Sequence, residues 1–160
     1  MAWALRCSAC VFGARRLVSL KQGDHRSPRI RETGCSMAGE QNVDTAKQAY
    51  DAFSAGDAEA AMARIADDVE WITPGNSAIS GTVHGKEAVG ARWAQLAEKG
   101  FATSPQHWFS DEDRVVVLTQ ITVGGEQADS ADVLTYRDGE LVKFQTAGDT
   151  ALFERVFGSK

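Results

Sequence analysis

Residues 50–74 constrain this chain more than any other stretch, because the backbone changes regime three times within them. Residues 44–55 place Ala46, Ala49, Tyr50 and Phe53 at the i, i+3, i+4, i+7 spacing of an amphipathic helix. Gly56 can take the left-handed conformation that closes a helix, and Asp57 beside it can accept from the free amides of a new one. The second predicted helix carries Ala60, Ala61, Arg64 and Ile65 and stops at the paired acids Asp67 and Asp68. Val69, Trp71 and Thr73 then alternate with Glu70 and Ile72 at strand period until Pro74-Gly75 breaks the run.

Downstream, Gly- and Ser-rich residues 75–85 read as a loop or short hairpin, and a third helix over residues 86–99 carries Ala88, Val89, Arg92, Trp93 and Leu96 before Gly100 ends it. Turn signals at residues 110–113, Gly124-Gly125 and Asp138-Gly139 delimit strands near 103–110, 114–123, 128–137 and 140–147. Helices first and an antiparallel sheet afterwards make an α+β fold.

Charge divides the 160 residues unevenly: residues 1–36 hold seven Lys or Arg against two acids, and residues 37–160 hold ten against twenty. One acidic domain, 37–160, is therefore expected after a basic leader, with no room for a second domain of ordinary size. Met37 directly precedes the first periodic helix, so the leader reads as a misassigned start or a disordered extension. Its acid-free first 23 residues, with Arg6, Arg15 and Arg16 among apolar neighbours, also have the composition of a mitochondrial presequence. Cytoplasmic placement is expected in the first case and mitochondrial in the second. Cys7 and Cys10 form a Cys-x-x-Cys pair, but Cys35 is the only other cysteine, which is poor support for zinc or redox chemistry. The leader's apolar stretches are too short and too interrupted by Arg to cross a membrane, while the domain itself has no cysteine and its acidity argues against a nucleic-acid partner.

The helix–stop–helix–strand opening resembles that of the ketosteroid isomerase-like and SnoaL-like proteins of the nuclear transport factor 2-like superfamily. Ser80-Gly81-Thr82, Gly85 and the helix after it resemble the family's third helix, and residues 132–147, with the Asp138-Gly139 turn, resemble its last hairpin. The resemblance covers about residues 37–158. It implies a cone-shaped α+β barrel, three N-terminal helices wrapped by a curved, mostly antiparallel sheet, with an interior pocket and a homodimer formed through the outer sheet face. Val116, Leu118 and Gln120 motivate that dimer, since they cannot face the pocket if Val115, Val117 and Thr119 do.

Strand parity supplies the pocket candidates. Val115, Val117, Thr119, Ile121 and Val123 share one face of their strand, and the resemblance puts that face inside; in the next strand Asp132, Leu134 and Tyr136 share the face that the same comparison makes concave. Trp71 and Thr73 share a face of the first strand, and Phe144 and Thr146 match pocket-facing positions of the last. The ligand-binding set is therefore Trp71, Thr73, Thr119, Ile121, Leu134, Tyr136, Phe144 and Thr146.

Asp132 matches the oxyanion acid of the steroid isomerases. Burial among apolar walls would raise its pKa and keep it protonated as a hydrogen-bond donor; the competing reading is a solvated acid near the sheet's mouth. Thr73 occupies the isomerase's general-base position, and a threonine hydroxyl cannot abstract a proton at neutral pH. The isomerase tyrosine falls at Ala49, with Tyr50 turned about 100° away around the helix. Steroid isomerisation by that route is disfavoured, and the resemblance is closer to the SnoaL-like branch, which includes polyketide cyclases working without metal or cofactor. Asp149 lies where many SnoaL-like sequences carry an acid and is a second proton-carrier candidate, or the cap of the segment 150–157. His84 and His107 are more than twenty residues apart and form no ligand cluster, so no metal site is expected. The expected partner is an apolar, polyketide- or steroid-like small molecule; the function is a cofactor-free isomerase or cyclase, or alternatively a non-catalytic binding domain for a hydrophobic metabolite.

Overall fold

The computed structural model describes residues 37–160, and the expectations placed on the basic leader and on Cys7, Cys10 and Cys35 lie outside the described residues. The element order is α1 (Met37–Ser54), α2 (Ala58–Met62), β1 (Ile65–Thr73), β2 (Gly81–His84), α3 (Lys86–Glu98), β3 (Ala102–Asp111), β4 (Arg114–Val123), β5 (Glu126–Arg137), β6 (Glu140–Gly148) and α4 (Thr150–Phe157). The strands form one six-stranded sheet in the order β2-β1-β6-β5-β4-β3. Only the β1/β6 pairing is parallel; the rest are antiparallel. The sheet curls without closing, leaving β2 and β3 as its edges, and the helices fill its concave side in the α+β cone that the sequence implies.

Local chemistry explains the joints. Asp57 caps α2 by accepting from the amide of Ala60. Asp138 and Gly139 both have positive φ, the backbone that a two-residue hairpin between β5 and β6 requires. One boundary differs from the sequence expectation: α2 ends at Met62 and β1 begins at Ile65, four residues before the expected strand start. The register of β1 against β6 shifts between Ile65 and Glu70, so Ala66, Asp67 and Asp68 sit in an irregular stretch whose strand period is broken.

Alternation along the central strands builds the core. Val115, Val117, Thr119, Ile121 and Val123 of β4 are buried, while Leu118 and Gln120 are exposed. In β5, Ser130, Asp132, Leu134 and Tyr136 are buried. A register shift at Thr135/Tyr136 lets Leu141 and Phe144, three residues apart on β6, both turn inward. The interior is completed by Ala46 of α1 and by Val89, Arg92 and Leu96 of α3. Among the described residues no helix is long and apolar enough to cross a membrane.

Candidate functional site

A cavity of about 110 Å³, partly open to solvent, lies between the concave sheet and α1, with walls drawn from α1, α3 and the inward faces of β1, β4, β5 and β6. A void of that order is known to accept one aromatic ring, and an open end lets a longer ligand extend outward. Trp71, Thr73, Ile121, Asp132, Leu134, Tyr136, Phe144 and Thr146 all line it. Trp71 stacks on Phe144 with ring centroids 3.7 Å apart and meets Trp93 edge-on. These rings make one side of the cavity aromatic.

Asp132 is the one carboxylate among the lining residues, and only 6 % of it is exposed. Tyr50, on α1, donates its hydroxyl to Asp132 Oδ2 at 2.5 Å, and its ring meets Trp108 of β3 edge-on. Burial raises the Asp132 pKa, and the hydroxyls of Tyr50 and Thr146 oppose that rise by stabilising the carboxylate. Burial, followed by the charge of Asp132 and the hydrogen bond to it, pushes Tyr50 well above its ordinary value. Tyr50 therefore keeps its proton across the range in which Asp132 titrates, so the pair is a neutral donor hydrogen-bonded to a carboxyl of variable charge. Burial also raises Tyr136.

Tyr50 corrects the expectation that it would point away from Asp132. The family comparison aligns the isomerase tyrosine with Ala49, but Ala49 and Tyr50 both border the cavity. The available signal was the i, i+4 apolar spacing of Ala46 and Tyr50, which placed Tyr50 on the buried face.

Two further site candidates fall outside the lining, and for Asp149 the capping alternative is the one seen. Asp149 does not line the cavity; its side chain accepts from the amide of Leu152 at 3.1 Å and caps α4, where the free amides of the first turn need an acceptor. Thr119 is buried but stands behind the wall, its hydroxyl 2.7 Å from that of Thr103, which is the group facing the cavity. In the β3–β4 ladder Thr103 pairs with Ile121 and Thr119 with Pro105, so the two hydroxyls meet diagonally. His84 and His107 are both exposed and neither borders the cavity. Among the described residues no group of three or more His, Cys, Asp or Glu is placed to hold a metal ion.

Sequence reasoning missed Arg92. It is 92 % buried on α3 and its Nη1 donates to Thr73 Oγ1 over a long 3.4 Å. In sequence it occupied a periodic apolar-face position, which was the signal, but a helical arginine ordinarily bends its charge back to water.

Comparison with known structures places the fold. Bal32a, from a soil-derived mobile gene cassette, matches at 26 % identity over 75 % of this chain and 98 % of its own, with a TM-score of 0.70. TerC co-crystallised with polyporic acid matches at 24 % over 74 % and 99 %, with a TM-score of 0.65. A candidate polyketide cyclase from Sinorhizobium meliloti matches at 20 % over 65 % and 94 %, with a TM-score of 0.58. No curated protein matches the chain. The model of the SnoaL-like domain matches residues 46–144, which span α1 to β6 and include Tyr50, Trp71, Thr73, Arg92 and Asp132. With the cone, its sheet order and that match in agreement, the chain belongs to the SnoaL-like domain family of the nuclear transport factor 2-like superfamily.

Proposed function

We propose that this protein binds an apolar small molecule in the cone and acts on it by cofactor-free acid–base chemistry of the isomerase or cyclase type. Asp132 carries the proton and Tyr50 is its donor partner. The observation that carries the reading is the 2.5 Å contact between Tyr50 Oη and Asp132 Oδ2 inside a mainly apolar cavity whose other polar lining is Arg64, Tyr136 and threonine hydroxyls. Ionised Asp132 can take a proton from an acidic C–H of the ligand, forming O–H as the C–H pair moves into an enolate; the acid so formed returns the proton at another carbon. The buried setting brings the carboxyl's pKa toward working pH, which proton exchange in both directions requires.

A non-catalytic binding role is the second reading. It is favoured by one observation: among the described residues no histidine and no second carboxylate accompanies Asp132 in the lining. Native mass spectrometry of protein purified from its own source separates these readings, followed by incubation of the retained molecule with protein in D2O. The enzyme reading expects an apolar adduct that gains deuterium at carbon, and a loss of that exchange in Asp132→Asn. An adduct that never exchanges supports the binding role, and the absence of any adduct contradicts both.

A further inference from the structure

Among the described residues Arg92 is a buried cation with no ion-pair partner. Only 8 % of it is exposed, and the ion pairs of the described residues use Lys86, Arg137, Lys143 and Arg155 but not Arg92. Its one side-chain hydrogen bond, to Thr73 Oγ1 at 3.4 Å, is long for a charged donor. Of its five N–H donors, only one on Nη1 therefore has a side-chain acceptor among the described residues, and a weak one. Buried guanidinium groups ordinarily find a carboxylate, because removing the charge from water is costly unless it is compensated. No fully buried side-chain polar atom among the described residues lacks a partner, so the remaining Arg92 donors keep a little open space beside them.

Thr73 connects this charge to the cavity, which it lines and Arg92 does not. A hydroxyl has one donor and two lone pairs, so an Oγ1 that accepts from Arg92 keeps its O–H free to point into the void. Donation from a cation polarises that O–H and makes it a stronger donor. Sheet register places it relative to Asp132. Ile72 of β1 pairs with Gln145 of β6, so Thr73 falls one step on, beside Thr146, and Thr146 pairs with Asp132 of β5. Thr73, Thr146 and Asp132 thus form a polar row across three strands of an apolar floor, with Thr73 and Asp132 two strand spacings apart, about 10 Å.

We infer that the Thr73 end of this row is a subsite for an anionic oxygen, so that the ligand is an apolar acid: a flat body with a carboxylate or acidic enol at Thr73 and a second oxygen at the Asp132–Tyr50 pair. This rests on the reading of the cavity as the ligand site. It reverses the polarity that the steroid isomerase resemblance implies, since a donor backed by a cation stands where that comparison puts a carboxylate base. Thr73 is the contacting residue; Arg92 is a positioning residue that holds its hydroxyl and supplies the charge.

The test uses two probes of equal shape, 6-hydroxy-2-naphthoate and its neutral carboxamide, titrated calorimetrically into the full chain at neutral pH. Their two fused rings match a span of roughly two strand spacings. The wild type should prefer the carboxylate by about tenfold, the scale of one hydrogen bond to a charged group. Thr73→Val and Arg92→Met should each abolish the preference by weakening the carboxylate more than the carboxamide, and Arg92→Lys should restore part of it. Thr73→Val is nearly isosteric and keeps the test open if Arg92→Met fails to fold. Equal binding of both probes to the wild type, or an undiminished preference in Thr73→Val, overturns the anionic subsite and leaves the ligand cavity standing. Binding of neither probe contradicts the cavity reading and this inference together.

Discussion

At the scale of single residues, Asp132 sets the pH behaviour of the molecule. Its folded-state pKa is raised, chiefly by burial, above the roughly 3.9 of an unfolded aspartate. Below that value the group is protonated in both states and costs nothing; as pH rises through the folded midpoint the unfolded chain ionises more readily and stability falls. Asp132→Asn lacks this loss. Melting curves of the two proteins should therefore coincide most closely in acid and diverge toward neutral pH with the variant ahead; a variant that loses ground as pH rises would show that the carboxylate is favoured by its surroundings. Asp149 belongs to another class, since it caps α4, and Asp149→Ala should cost about 1 kcal/mol in denaturant unfolding with no change in ligand affinity. A change in affinity without one in stability would return Asp149 to the site. The inward placement of Asp132 was legible in sequence because strict alternation fixes its face, whereas that of Tyr50 was not, because a one-residue offset in the family match turns a helical side chain by about 100°.

At the scale of elements, β1 carries the aromatic wall and the loop after it is held by close packing. Trp71 is 92 % buried and stacked on Phe144, so Trp71→Ala should cost about 3–5 kcal/mol and weaken binding of any flat ligand. Thermal unfolding with and without 6-hydroxy-2-naphthoamide reads both effects. Gly75 has φ +97°, and a Cβ built there would meet Thr150 Cβ at 2.8 Å, so Gly75→Ala should destabilise by more than about 1 kcal/mol and loosen the contact between this loop and α4. An unchanged melting temperature would contradict that packing. The strands β3 to β6 were readable because their turns and alternation are regular. The start of β1 was not, because Ala66-Asp67-Asp68 reads as a helix end when the register shift that admits it into the sheet leaves no periodic mark. Arg92 escaped for a related reason, since spacing gives a residue's face but not whether a long side chain stays inside.

At the scale of the whole molecule, the curled sheet has a second face. Phe109 and Leu118 are 57 % and 40 % exposed, and Phe109 pairs across the ladder with Val116. A homodimer through this face is our expectation: sedimentation should give twice the subunit mass at micromolar concentration, and Leu118→Glu should shift it to one subunit. A monomeric wild type would contradict it. Within the cone, the opposite face keeps one carboxyl from water beside a tyrosine that stays protonated, and that arrangement is the centre of the account. Carbon-detected NMR titration of the Asp132 carboxyl in the wild type and in Tyr50→Phe tests it most directly. The account predicts a midpoint above the ordinary aspartate value of about 3.9 in the wild type, and a higher one in Tyr50→Phe, where the hydrogen bond that favours the carboxylate is gone. A wild-type midpoint at or below that value, or one that Tyr50→Phe leaves unmoved, would contradict it.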